Sequence, residues 1–186
     1  VLDKGEAWMD YSRKHREYEN QTGPVRRGVG CALFWYNTAV WPISLESSSC
    51  RMVLNQDGSL QFQTGETEIG QGCDTAYTQM VAEAVGVPVE SVHVVSTQDT
   101  DVTPFGTGAY ASRQTYIGGF SIMQTAQALR ERILQVAHEQ TRMPVSNLDL
   151  VDGRIVRKSD GRELKSLGDL ATESLYSLER SQHITA

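Results

Sequence analysis

Apolar and polar positions alternate most cleanly on either side of Asn55-Gln56-Asp57-Gly58-Ser59. Cys50 to Leu54 and Leu60 to Thr64 read as two paired strands. Leu60, Phe62 and Thr64 fall on one face, with Ser59, Gln61 and Gln63 on the other, so one face meets a core and the other meets water. Asp57-Gly58 supplies the turn between them. The period then changes. Tyr77, Met80, Val81 and Ala84 recur at helical spacing and predict a helix over Cys73 to Val85, stopped by a left-handed cap at Gly86 and by Pro88. Ser91 to Thr97 returns to alternation, Val92 and Val94 against His93 and Val95, and reads as a strand. Ile122, Ala126, Leu129, Ile133 and Val136 form one stripe along the longest helix, about Ser112 to Gln140, which Met143-Pro144 ends. Asp152-Gly153 joins two short strands, Leu148 to Val151 and Arg154 to Val156. A last helix is expected near Ser166 to Ser174.

Before the hairpin the pattern is weaker. Glu6 to Tyr18 is polar and helix-permissive, anchored by Trp8, Met9 and Tyr11 and broken by Gly23-Pro24. Val25 to Tyr36 is a strand candidate carrying Gly28 and Gly30. Strands and helices do not alternate regularly, so the expected class is α+β: a two-layer fold with a mostly antiparallel sheet and helices packed on one face. The expected divisions are a helical lead-in over 1–23, an α+β domain over 24–144, and a hairpin-and-helix extension over 145–186.

Composition narrows the function. The chain has 186 residues, enough for one ordinary domain or two small ones packed together, and 39% are hydrophobic, enough to build a core. No apolar run approaches the ~18 residues of a membrane span. A net charge of −6 disfavours nucleic acid as a partner. Cys31, Cys50 and Cys73 form no CxxC pair, which excludes a zinc ribbon or an iron–sulfur cluster within this chain and suits a reducing cytoplasm. No basic region followed by an apolar core opens the chain, so no signal peptide is read there, and the first residue is Val1; an excised piece of a longer polypeptide is expected.

Two glycine-rich loops each open onto a predicted helix: Gly70-Gln71-Gly72, and Gly106-Thr107-Gly108-Ala109-Tyr110-Ala111-Ser112-Arg113. A helix start carries unpaired N–H groups and about half a positive charge, which favours an anion. Ser112 adds a hydroxyl and Arg113 can fork onto a phosphate oxygen. Glycine before a helix is also ordinary turn chemistry, and Ser112 is a good N-cap in any case. The loops match neither the P-loop nor the dinucleotide fingerprint. The loop from Gln98 to Tyr110 is long enough to suggest function. His15, His93, His138 and His183 lack ligand spacing. Asp99 and Asp101 read as turn formers and Glu66 and Glu68 as one exposed side of a strand end. Ser47-Ser48-Ser49 lacks the surroundings of a nucleophile elbow. Cys73 reads as a structural thiol whose pKa a helix start would lower.

The run Asp57-Gly58-Ser59, Gly65-Glu66-Thr67-Glu68-Ile69-Gly70-Gln71-Gly72, Thr75, Gln79, Ala82-Glu83, Gly86-Val87-Pro88, Val92, Asp99-Thr100, Pro104, Gly106 and Ala111-Ser112-Arg113 resembles the molybdenum hydroxylases, the xanthine dehydrogenase and aldehyde oxidase family. More narrowly, the chain resembles the molybdenum-binding subunit of a bacterial xanthine dehydrogenase. The resemblance runs from about Gly28 to about Gln140. It implies a molybdenum–pyranopterin cofactor, in its cytosine dinucleotide form in bacteria, and hydroxylation of a purine or an aldehyde with oxygen from water. Iron–sulfur clusters and FAD would sit on other subunits or domains. By position, Gly70, Gln71 and Gly72 would contact the pterin, Ala111 and Ser112 would pass closest to molybdenum, and Arg113, Gln114 and Thr115 would lead toward the phosphates.

The departures from the family matter equally. Its general-base glutamate, in a Gly-Glu context near the end of the full subunit, has no counterpart here, and its Gly-Gly-x-Phe-Gly segment is absent. The resemblance therefore implies a cytoplasmic enzyme of which this chain is one cofactor-binding piece, with no catalytic residue and no direct metal ligand of its own, inactive alone. Its partners would be the remaining half of the molybdenum subunit, the FAD subunit and the iron–sulfur subunit. A non-catalytic phosphate- or nucleotide-binding module, or an assembly domain, is the alternative reading.

Overall fold

A computed structural model describes residues 1–39, 46–95 and 99–186 of the chain, which divides into two compact units, Val1–Tyr36 and Asn37–Ala186. In the first unit the expected single helix is two, α1 (Leu2–Met9) and α2 (Tyr11–Glu19). Asp10 between them is left-handed at φ 52°, which ends one helix and starts the next. The strand expected over Val25 to Tyr36 does not form. Those residues join no sheet, and Leu33, Phe34 and Trp35 are exposed. The short apolar run from Cys31 to Tyr36 is there, but a strand exists only through a ladder, and this segment has none among the described residues.

The second unit carries the core. β1 (Cys50–Leu54) and β2 (Leu60–Thr64) form the expected hairpin, with Met52 opposite Phe62 and Leu54 opposite Leu60. Asp57 makes its turn: Oδ1 accepts from the Ser59 amide at 2.9 Å and from its hydroxyl at 2.7 Å. α3 (Cys73–Val85) ends at Gly86, left-handed at φ 94°. The next strand, β3 (Val92–Val95), lies parallel to β2. Residues 96–98, which include the end of that expected strand and the start of the long loop, lie outside the described residues. β1 is also paired on its other side by the last residues, through Met52 with Ala186 and Leu54 with Ile184.

α4 (Gly119–Thr141) is entered through a wider π-type turn, Gln114–Gly118, and the whole Ile122-to-Val136 stripe is buried. β4 (Leu148–Val151), β5 (Arg154–Arg157) and β6 (Glu163–Ser166) form a second, fully antiparallel sheet, and α5 (Leu167–Leu175) follows, its Ser166 cap accepting from Asp169. β6 is the strand that the pattern missed: Leu164 is the one apolar residue in Glu163–Ser166, too little for an alternation to register. α3 and α4 pack together. One continuous core joins Phe62, Tyr77 and Val81 to Ile122, Leu129, Leu148, Ile155 and Leu170, so both sheets share it. The class is α+β with mostly antiparallel sheets. No helix of the described residues is long and apolar enough to cross a membrane.

Candidate functional site

The first glycine loop is built by Glu68. Gly72 stands at the N-cap of α3 at φ 83°, and glycine has no side chain with which to cap. Glu68 does so instead: Oε1 accepts from the Gly70 amide at 2.7 Å and the Gly72 amide at 3.1 Å, and Oε2 from the Asp74 amide at 3.1 Å. These amide bonds, Asp74's first, hold the carboxyl down at about 2, because each favours the charged form. The anion at this helix start is thus the chain's own carboxylate. That corrects the reading of open amides awaiting a ligand, and of Glu68 as a merely exposed strand end.

Gln71 and Gln114 tie the two loops together. Nε2 of Gln71 donates to Oε1 of Gln114 at 2.5 Å and to the Thr67 carbonyl at 3.0 Å, and its Oε1 accepts from the Ile69 amide at 2.7 Å. Nε2 of Gln114 donates to the same Thr67 carbonyl at 2.6 Å. From below, the buried Tyr77 hydroxyl donates to the Gln114 carbonyl at 2.8 Å, and burial pushes that phenol well above its ordinary range.

The second loop ends in a turn closed by the Arg113 amide donating to the Tyr110 carbonyl at 3.0 Å. Ala111 (φ 49°) and Ser112 (φ 56°) sit at its centre, both left-handed. Ser112 is therefore exposed at the turn and does not act as the N-cap. Arg113 points inward. It is fully buried, and Nη1 donates to both carboxylate oxygens of the equally buried Glu66, at 2.8 and 2.9 Å, and to the Gly108 carbonyl at 3.1 Å. Nη2 donates to the Ser47 carbonyl, and Nε lies 3.7 Å from Glu46. The guanidinium expected to fork onto a phosphate is committed within the fold. Glu66, expected at an exposed strand end, is its buried partner. Nothing local in the sequence links the two, which lie 47 residues apart. The loops also meet backbone to backbone. A Cβ built on Gly65 would stand 2.2 Å from the Pro104 carbonyl oxygen, and one on Gly106 would stand 2.3 Å from that of Gly65.

Of the residues singled out in the sequence, Gly70, Gln71, Gly72, Ser112 and Thr115 are exposed, Ala111 is half-buried, and Arg113 and Gln114 are buried. The other candidates resolve simply. Asp99 makes a turn, accepting from the Asp101 amide at 2.9 Å. Glu68, Cys73 and Asp74 are the one cluster with metal-ligand spacing among the described residues. Glu68 is occupied by amides, and burial, then Glu68 and Asp74, push the Cys73 thiol up to about 12. It is a thiol at neutral pH and a poor ligand, and burial outweighs the lowering expected of a helix start.

Residues 4–185 match the family of molybdopterin cofactor-binding domains. The chain is 45% identical over 186 residues to the xanthine dehydrogenase molybdenum-binding subunit of Escherichia coli O157:H7, covering all of this chain and 25% of that protein. It is 29% identical over 177 residues to the carbon monoxide dehydrogenase large chain of Hydrogenophaga pseudoflava, covering 91% of this chain and 22% of that one. Among solved structures, the Cu,Mo-CO dehydrogenase in its carbon monoxide-reduced state superposes with a TM-score of 0.66 at 24% identity, over 75% of this chain and 18% of that one, a likeness of fold. This chain thus spans about a quarter of the length of these relatives. The chain belongs to the molybdopterin cofactor-binding domain family.

Proposed function

We propose that this chain holds one side of a molybdenum–pyranopterin cytosine dinucleotide cofactor in a cytoplasmic enzyme that hydroxylates a purine or a related heterocycle. The observation that carries the reading is the Gln71–Gln114 hydrogen bond, which makes the two glycine loops one surface. The donor set fits the group. Among the described residues, no atom beyond the adjoining residues lies within 4 Å of a Cβ built on Gly70 or Gly72, so a planar ring system can lie against that backbone. Ser112 and Thr115 offer exposed hydroxyls beside it. Such hydroxyls suit a pterin edge and phosphate oxygens, and they do not suit a metal ion, which this chain would meet only through the cofactor.

When bound, the cofactor supplies the redox chemistry of hydroxylation, and the chain supplies its seat. Glu68 and the two glutamines fix the shape of that seat in advance. Gln71 serves it as a stitch between loops, since its amide group is already engaged. Arg113 serves it from behind. The rest of the molybdenum subunit, with FAD and iron–sulfur subunits, would complete the enzyme. The exposed apolar stripe of Tyr116, Phe120 and Met123, running from the π-type turn into α4, supports a protein partner close to the site. Acid treatment of the assembled enzyme should release a pterin that fluoresces after oxidation, together with cytidine monophosphate. Neither product, or a different nucleotide, contradicts the corresponding part of the reading.

A further inference from the structure

We propose that Glu66 is a positioning residue for this surface, acting through Arg113 on the left-handed pair Ala111-Ser112; the inference rests on the cofactor reading above. Two successive non-glycine residues at positive φ form a mirror-image turn that glycine, asparagine and aspartate usually fill. L-residues enter that region against their own Cβ and remain there only when the surroundings over-determine them. The restraint here is visible. The turn closes on the Arg113 amide, and the Arg113 guanidinium is anchored to both oxygens of Glu66, to the Gly108 carbonyl and to the Ser47 carbonyl, with the Tyr110 ring 5.8 Å away. A further strut is the Ala39 amide, which donates to the Ala111 carbonyl at 2.8 Å.

Glu66 is itself held. It follows the end of β2, its amide donates to the Thr64 hydroxyl at 3.2 Å, and its side chain packs beside Gly118, where an added Cβ would stand 3.3 Å from Cγ. The chain of restraint runs from β2 through Glu66 and Arg113 to a turn that presents Ser112 outward. Glu66 itself is buried and lies behind that surface.

The test uses the assembled enzyme carrying this chain, with Glu66→Gln, Ala111→Gly and the double variant, read by molybdenum content and melting temperature. Glu66→Gln should lose most of its molybdenum. Adding Ala111→Gly should restore much of it although the ion pair stays broken, because glycine occupies the left-handed region without strain. A buried pair with a purely structural role predicts no such rescue. Normal loading by Glu66→Gln, or loss that Ala111→Gly leaves unchanged, overturns the proposal. Should Glu66→Gln not fold, Ala111→Gly alone decides: a melting temperature above wild type supports strain held at the turn, and one at or below it overturns that claim. A wild-type enzyme without molybdenum would instead count against the cofactor reading, with the melting arm still deciding the strain.

Discussion

Nε2 of Gln71 donates to Oε1 of Gln114 across 2.5 Å, joining two glycine loops whose partners lie 43 residues apart. Each residue also donates to the Thr67 carbonyl. The bond turns two helix starts into one surface.

Gly72→Val should lower cofactor loading more than it lowers stability. At φ 83° a β-branched residue costs on the order of 1–3 kcal/mol in strain. The space around its Cβ is open, so no core clash adds to this. The side chain would project into the seat. Melting of the isolated chain and the molybdenum content of the assembled enzyme separate the two effects; normal molybdenum alongside a lowered melting temperature would remove Gly72 from the seat.

Arg113→Ala should destabilise the fold itself. Removing one partner of a buried ion pair leaves Glu66 charged and unpaired, which costs about 3–5 kcal/mol. A phosphate ligand on the surface would leave the cofactor-free chain's denaturation midpoint almost unmoved. An unchanged midpoint in urea would therefore restore the surface role and contradict the burial described above.

Acid should loosen the first loop through Glu68. Its folded pKa, about 2, is below the ordinary carboxylate value, so its stabilising effect is complete above the ordinary value and disappears as pH falls toward 2. Glu68→Gln should flatten that part of the stability–pH curve. Parallel wild-type and variant curves between pH 5 and about pH 2 would show that the amide cap contributes nothing.

Thiol labelling should rank Cys31 ahead of Cys73. Cys31 is exposed, whereas Cys73 is buried with its thiol pushed up to about 12. With iodoacetamide at neutral pH, peptide mapping should find Cys31 alkylated while Cys73 stays unmodified until the fold opens. Early labelling of Cys73 would contradict its environment.

Much of this architecture is legible in the residues. Alternation at Leu60-Phe62-Thr64 and the Ile122-to-Val136 stripe each report a single buried face, and local patterns suffice for that. Gly86 and Pro88 mark the end of α3 for the same local reason. What escaped the pattern depends on distant partners. The parallel pairing of β2 with β3 is fixed by packing, and Val25 to Tyr36 carries a strand-like apolar run without finding a ladder among the described residues. At the site, Gly70-Gln71-Gly72 and Ala111-Ser112 announced themselves as loops. Arg113 misled because an arginine after a glycine loop reads as an anion ligand, while Glu66, its actual partner, carries no local mark of burial. Gln71 and Gln114 were singled out, but their mutual bond is a tertiary fact.

The most direct test of the central claim, that the two loops form one cofactor seat, is the molybdenum content of the assembled enzyme carrying Ser112→Leu. Ser112 is exposed and already left-handed, so leucine disturbs no core and should leave the melting temperature close to wild type. The wild-type enzyme should carry stoichiometric molybdenum, and Ser112→Leu should lose most of it. Full molybdenum in the variant, beside a fully loaded wild type, would contradict the account.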